Sequence, residues 1–250
     1  MTRSFTALAL LLLILTSTPC LAWHDATHMA VVEAAGLHNY AYLAVGADMA
    51  KEKAGGHEEG NHYRDNLKSV VVTPDMVLDQ VRDYNCRCEG EGHLYGAIVA
   101  ALGQYRDRRS DGKYDRYALG FAAHYIGDLS MPLHNTEYNL FNRTFHSAND
   151  GVVEGSDDEP IEAKVSRIAR QIGKRMKELP PLQLPAAKDG MVKFNRALAK
   201  EIAEVANSSI ALGYAMQEAN PQRPLMTEDE AYRRLALSAR LLKAAFAALR

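Results

Sequence analysis

Apolar residues recur at helical spacing along most of the chain, and no segment shows a convincing alternation of apolar and polar positions. Residues 26–35 read as a short helix with Asp25 or Thr27 at its start and Gly36 as its stop. Residues 40–54 read as a second helix closed by Gly55-Gly56, and 57–72 as an irregular polar loop. Thr73-Pro74-Asp75 is a helix start, with Thr as cap and Pro at the first position, for a helix ending near Tyr84. Leu94, Ile98, Ala101, Leu102 and Tyr105 mark a helix over 93–108; Ser110-Asp111-Gly112 is a turn, and 114–129 the central helix. Pro160 opens a helix with Ile161, Val165, Ile168, Ile172 and Met176 as its apolar stripe, and Pro180-Pro181 breaks the chain after it. A long helix over 191–216 follows. Thr227, with Glu228, Asp229 and Glu230 in the first turn, starts the last helix, which runs to Arg250. No repeat or linker interrupts this order. The pattern predicts an all-α, single-domain bundle of about seven to nine helices.

Residues 1–22 stand apart. Arg3 gives a basic start, residues 7–15 form an apolar run, and Cys20-Leu21-Ala22 ends in a small residue. That is the pattern of a secretory signal peptide cut after Ala22, leaving a mature domain over 23–250 that is secreted or periplasmic. The apolar run is too short for a membrane span, and no other candidate span follows. The 47% hydrophobic and 24% charged content is ordinary for a globular protein. The formal charge is −2, and loss of Arg3 makes it one unit more acidic. No basic field is present to hold nucleic acid in a stable complex. Cys86 and Cys88 are one residue apart in NCRC, which reads as a loop staple or free thiols and not as an active site. The Arg/Lys face of 161–176 reads as a solvated helix face.

The chemistry concentrates in residues 121–150. His124 and Asp128 are four apart, as are His146 and Asp150, so each pair shares one helix face. An imidazole and a carboxylate so placed can converge on a cation, and zinc takes both ligand types. Pro132 ends or bends the helix, which can swing His134 to a second ion. His28, His62 and Asp48, with a free Trp23 amine, would extend the set to nine ligands. That number suits three zinc ions with one carboxylate bridging. His24, His38, His57 and His93 read as surface or packed histidines, with His57 an alternative to His62.

These residues resemble the zinc-dependent phospholipases C and the single-strand-specific nucleases, which share an all-α trinuclear zinc fold. The resemblance runs from Trp23 to Asp150 and is strongest at HYIGDLSMPLH, residues 124–134. Trp23 and His28 match W-x4-H, where the N-terminal Trp binds zinc through its amine and carbonyl. Asp48 and His62 match the next carboxylate and histidine. His124 and Asp128 match H-x3-D, His134 matches P-x-H, and His146 and Asp150 match the closing H-x3-[DE]. After Glu154 no motif matches.

The resemblance implies one zinc on Asp48, His62, His124 and Asp128, a second on His134, His146 and Asp150, and a third on Trp23, His28 and the bridging Asp128. Two close cations would lower the pKa of a shared water and hold a phosphate diester in line with it, and the third would stabilise the leaving oxygen. Asp48, beside that water, is also a general-base candidate. HYIGD is nearer the phospholipases; the short W-x4-H and Asp150 in place of Glu are nearer the nucleases. Asn149 stands where the nucleases have Trp, and the glycines usual around W-x4-H are missing. Tyr63 and Asp65 could stack on and hydrogen-bond a nucleobase, but a similar pair occurs in both branches. Glu154 is an alternative to Asp150. The expectation is therefore a secreted phospholipase C-like phosphodiesterase acting on phospholipid with metal-bound hydroxide. The alternatives are a single-strand nuclease or nucleotidase, and a non-catalytic zinc-binding protein.

Overall fold

In the computed structural model, which describes residues 23–51, 56–87, 90–108 and 114–250, nine α-helices and no strand occur among the described residues. They are α1 (Asp25–Ala34), α2 (Gly46–Lys51), α3 (Pro74–Asp79), α4 (Leu94–Asp107), α5 (Tyr114–Leu129), α6 (Leu140–Asp150), α7 (Ile161–Met176), α8 (Met191–Glu218) and α9 (Glu228–Leu249). The all-α expectation is met by one helical domain. The leader, residues 54–55, Cys88 and the 110–112 turn lie outside the described residues. Cys86 is disulfide-bonded. No helix among the described residues is long and apolar enough to cross a membrane.

Helix starts follow their local chemistry. Thr73 Oγ1 accepts the Met76 amide at 3.3 Å, with Pro74 at the first position of α3. Thr227 and Glu230 form a reciprocal capping box on α9, with bonds of 3.2 and 2.9 Å. Asn139 caps α6 by accepting the Asn142 amide at 3.1 Å.

Two expected helices wind differently. Of the expected helix over 40–54, the described part to residue 51 is a 3-10 stretch (His38–Val45) and then the short α2. The 3-10 stretch presses on α5 so closely that a Cβ on Gly120 would lie 2.6 Å from Leu43 Cβ. The α3 helix stops at Asp79 and continues as a 3-10 turn (Gln80–Asp83) where the Gln80 backbone meets Gly96 of α4, a hypothetical Cβ there lying 2.2 Å from the Gln80 carbonyl carbon. In both places tertiary approach overrides local helix preference.

Helix α5 is the centre of the packing, touching α1, α2, α4, α8 and α9. Its Leu119, Ala122, Tyr125, Ile126 and Leu129 are buried against core residues such as Leu94, Ile98 and Leu102 of α4 and Leu242 of α9. The turn after α5 is held by polar side chains. Asn135 Nδ2 donates to the carbonyls of Leu129 (3.1 Å), the last residue of α5, and Met131 (2.8 Å), in the turn that follows. Asn142 Nδ2 donates to Leu133 O at 2.7 Å. Arg234 is buried and donates to the Ser130 and Val205 carbonyls and to the Ser208 and Ser209 hydroxyls, tying α9 to α8 and the end of α5. Burial lowers its pKa to about 10. These bonds fix where the 3-10 turn Pro132–His134 delivers its histidine.

Candidate metal centre

Four helices and two turns deliver the histidines and carboxylates to one buried place. His28 comes from α1, Asp48 from α2, His62 from the end of the 3-10 turn Glu59–Asn61, and His124 and Asp128 from α5. His134 follows Pro132, and His146 and Asp150 come from α6. Three groups have ligand atoms within 4.8 Å of one another: His28/Asp48/His124, His62/His124/Asp128 and His134/His146/Asp150. Each can hold a metal ion, and the first two share His124.

Asp128 lies between partners on both sides. Its Oδ1 is 3.4 Å from His28 Nε2, and its Oδ2 is 3.0 Å from His62 Nδ1 and 3.3 Å from His124 Nε2. Asp48 Oδ1 lies 3.6 Å from His124 Nε2 and 3.7 Å from His62 Nδ1. His146 Nε2 and Asp150 Oδ2 are 3.4 Å apart, one helical turn from each other. The His28 and His124 rings stack at 3.7 Å. That approach needs Gly127, since a Cβ there would lie 2.6 Å from His28 Nδ1.

The outer nitrogens of three histidines are fixed by acceptors. Nδ1 of His124 faces Ala44 O at 2.6 Å, that of His134 faces His62 O at 2.5 Å, and that of His146 faces Asn142 Oδ1 at 2.6 Å. A carbonyl oxygen only accepts, so each Nδ1 carries a proton and each Nε2 turns inward.

The electrostatics are those of a site built for cations. Burial works against ionised Asp128, but the His124 and His134 rings hold it well below the usual carboxylate range. Burial likewise opposes ionised Asp48, and His124, Lys51 and His62 outweigh it, bringing the pKa to about 2. His124 is raised to about 9 because Asp128 and Asp48 outweigh its burial. Burial lowers His134 to about 4, despite Asp128. Burial lowers His28, aided by His124, and lowers His146 further, aided by His134. Asp150 is pushed well above the usual range by burial and by Asp128.

His28 Nε2, Asp128 Oδ1, His134 Nε2, His146 Nε2 and both Asp150 oxygens are buried and make no hydrogen bond. A buried polar atom left so costs ~1–3 kcal/mol, which a bound cation would offset. Convergent imidazole nitrogens and carboxylate oxygens without bonds fit bound metal ions.

Lys51 and Glu58 have no motif that marks them in sequence. Lys51 Nζ sits 3.2 Å from Asp48 Oδ1. Burial alone would lower its pKa, but Asp48 and Asp128 raise it above the ordinary value. Lys51, Tyr63, Asp65, Tyr138, His134 and His146 line a cleft of about 200 Å³ that opens on the histidines. Burial raises Asp65 to about 6. A second cleft of about 580 Å³ also reaches Asp48, lined by His24, Asp25, Met49, Glu154 and Lys164.

Trp23 is fully buried just ahead of α1. Glu154 is placed away from His134 and His146: its Oε1 accepts the Thr27 amide (3.0 Å) and hydroxyl (2.6 Å) in the first turn of α1. Asp150 is the carboxylate that joins those histidines. His57 is exposed, with Nδ1 3.0 Å from Asn85 O, and does not replace His62. His93 is buried on Asn61 Oδ1 at 2.9 Å, and His38 pairs with Glu33 at the surface.

No family model matches the chain, and no curated protein is significantly similar to it. Fold and site together define an all-α protein with three buried His/Asp groups able to hold metal.

Proposed function

We propose that the chain is an exported zinc-dependent phosphodiesterase that cleaves phospholipid in the manner of a phospholipase C. One observation carries the reading: three buried His/Asp groups lie together, and His62, His134 and His146 from two of them line a cleft that also holds the Lys51 ammonium group. Imidazole and carboxylate donors without thiolate suit zinc. Asp48, His62, His124 and Asp128 would hold one ion, and His134, His146 and Asp150 a second. Trp23, through its amine and carbonyl, would hold a third with His28 and Asp128. The Trp23 amine is free only after cleavage behind Ala22, so export belongs to the proposal. Zinc supplies Lewis acidity toward phosphoryl oxygens and makes water acidic enough to attack near neutral pH.

The chain's own residues do the rest. His124, His134 and His146 keep their Nδ1 protons on carbonyl oxygens and so keep their ring planes fixed. Asp128 and Asp48, both held ionised, set the negative charge of the site. Lys51 gives the cleft a cation to meet a phosphodiester anion. Leu133 supplies apolar wall, and Tyr63, Asp65 and Tyr138 shape the space for the departing alcohol or head group.

A nuclease or nucleotidase is the second reading, favoured by Tyr138, which adds a second ring beside Tyr63 in the cleft on which a base could stack. Assay of zinc-loaded protein starting at Trp23 on phosphatidylcholine vesicles and on single-stranded DNA, in parallel, decides between them. Release of diacylglycerol with intact DNA is expected. DNA cleavage alone would make the chain a nuclease, and full zinc without turnover on either would make it a zinc-binding protein.

A further inference from the structure

Glu58 is a buried carboxylate that the three metal-binding groups do not use. It is 5% exposed and immediately precedes the 3-10 turn that leads to His62. Its Oε1 accepts the Tyr125 hydroxyl and lies 3.3 Å from His62 Nε2; its Oε2 accepts Asn61 Nδ2 at 3.2 Å. Among the described residues no lysine or arginine pairs with it. A carboxylate so deep calls for a compensating positive charge.

The direction of the His62 ring says where that charge lies. His124, His134 and His146 turn Nδ1 outward and Nε2 inward, whereas His62 is reversed. Its Nδ1 faces Asp128 Oδ2 at 3.0 Å and His124 Nε2 at 3.2 Å, inside the cluster, and its Nε2 faces Glu58. A neutral imidazole has one N–H. For Nδ1 to offer its lone pair inward, Nε2 must carry the proton; Nε2 is buried without a hydrogen bond, and Glu58 Oε1, 3.3 Å away, is a carboxylate oxygen placed to receive that proton's bond with a small turn of the ring.

We propose that Glu58 is a positioning residue that holds His62 in the tautomer whose Nδ1 is a metal ligand. The inference rests on the metal reading above. A cation on Nδ1 makes Nε2–H a stronger donor, so carboxylate and cation reinforce each other through the ring. Glu58 is itself held in place. Its donor Asn61 is anchored at Oδ1 by His93 Nε2 (2.9 Å) and the Asn85 amide (3.2 Å). Gly60 allows this, because a Cβ there would lie 2.6 Å from His93 Cε1.

The test uses protein starting at Trp23, with zinc affinities measured by chelator competition and visible spectra recorded after cobalt loading. Glu58→Gln keeps the size and removes the charge. Zinc affinity at one site should fall ~10–100-fold, with a changed cobalt band for that ion alone. Circular dichroism of the chelated variant should match that of the chelated parent. Tyr125→Phe removes a donor to Glu58 while keeping the ring that packs edge-on against His62 and His124. It should weaken the same site by a smaller factor, and it carries the test if Glu58→Gln does not fold. Unchanged affinities and spectra in both variants, or equal loss at every site, overturn the role of Glu58. A parent protein that binds no zinc tightly overturns the metal reading itself, a result separable from the other two.

Discussion

Asp128→Asn keeps the shape of a fully buried side chain and removes its charge. The carboxylate reaches His28 on one oxygen and His62 and His124 on the other, at 3.0–3.4 Å. A surface ion pair at this spacing would be worth ~0–1 kcal/mol. A buried anion proposed to bridge two metal ions would be worth more, and linkage gives a scale. Metal at a thousand times its dissociation constant stabilises the fold by ~4 kcal/mol per site. In a domain of this size 1 kcal/mol moves Tm by ~2–4 °C, so one such site corresponds to about 8–16 °C. The quantity to measure is the gap in Tm between zinc-loaded and chelated protein, which cancels any effect of Asn on the metal-free fold. The account predicts that Asp128→Asn closes most of the parent's gap, binds more than one zinc fewer, and loses nearly all turnover. A variant with full zinc, the parental gap and parental turnover would refute the reasoning.

Gly127→Ala should place a methyl against His28, which is already stacked on His124. It should cost ~1–3 kcal/mol by overpacking and lower zinc content by one ion, read by calorimetry and elemental analysis. A protein beginning Met-Trp23, with the Met retained, replaces the free amine by an amide. It should fold, hold two ions, and turn over more slowly by orders of magnitude than protein starting at Trp23. Lys51→Met should leave zinc content unchanged. It should weaken inhibition by inorganic phosphate ~10–100-fold, the scale of one charge-assisted hydrogen bond of ~1.5–3 kcal/mol.

Much of this site is legible in the sequence because its ligands obey local rules. His124/Asp128 and His146/Asp150 are one helical turn apart, and both turns form as that spacing implies. Pro132 ends α5 for a covalent reason that needs no tertiary knowledge. The capping box at Thr227 and the Thr73-Pro74 start are equally local. What escapes the sequence depends on long-range approach. The 3-10 winding of His38–Val45 follows from its contact with Gly120, 77 positions beyond Leu43. The choice between Asp150 and Glu154 is decided by Thr27, 127 residues away in the chain. Glu58 carries no motif because its partner Tyr125 comes from α5 and its contact with His62 depends on how the ring is turned. Lys51 is one of many lysines until burial places it on Asp48.

The central claim is that three metal ions sit on the His/Asp groups around Asp128. Elemental analysis of protein cleaved to Trp23, expressed with zinc and dialysed free of loose metal, tests it most directly. The account predicts close to three zinc per chain. A tightly bound content of one or none would contradict it.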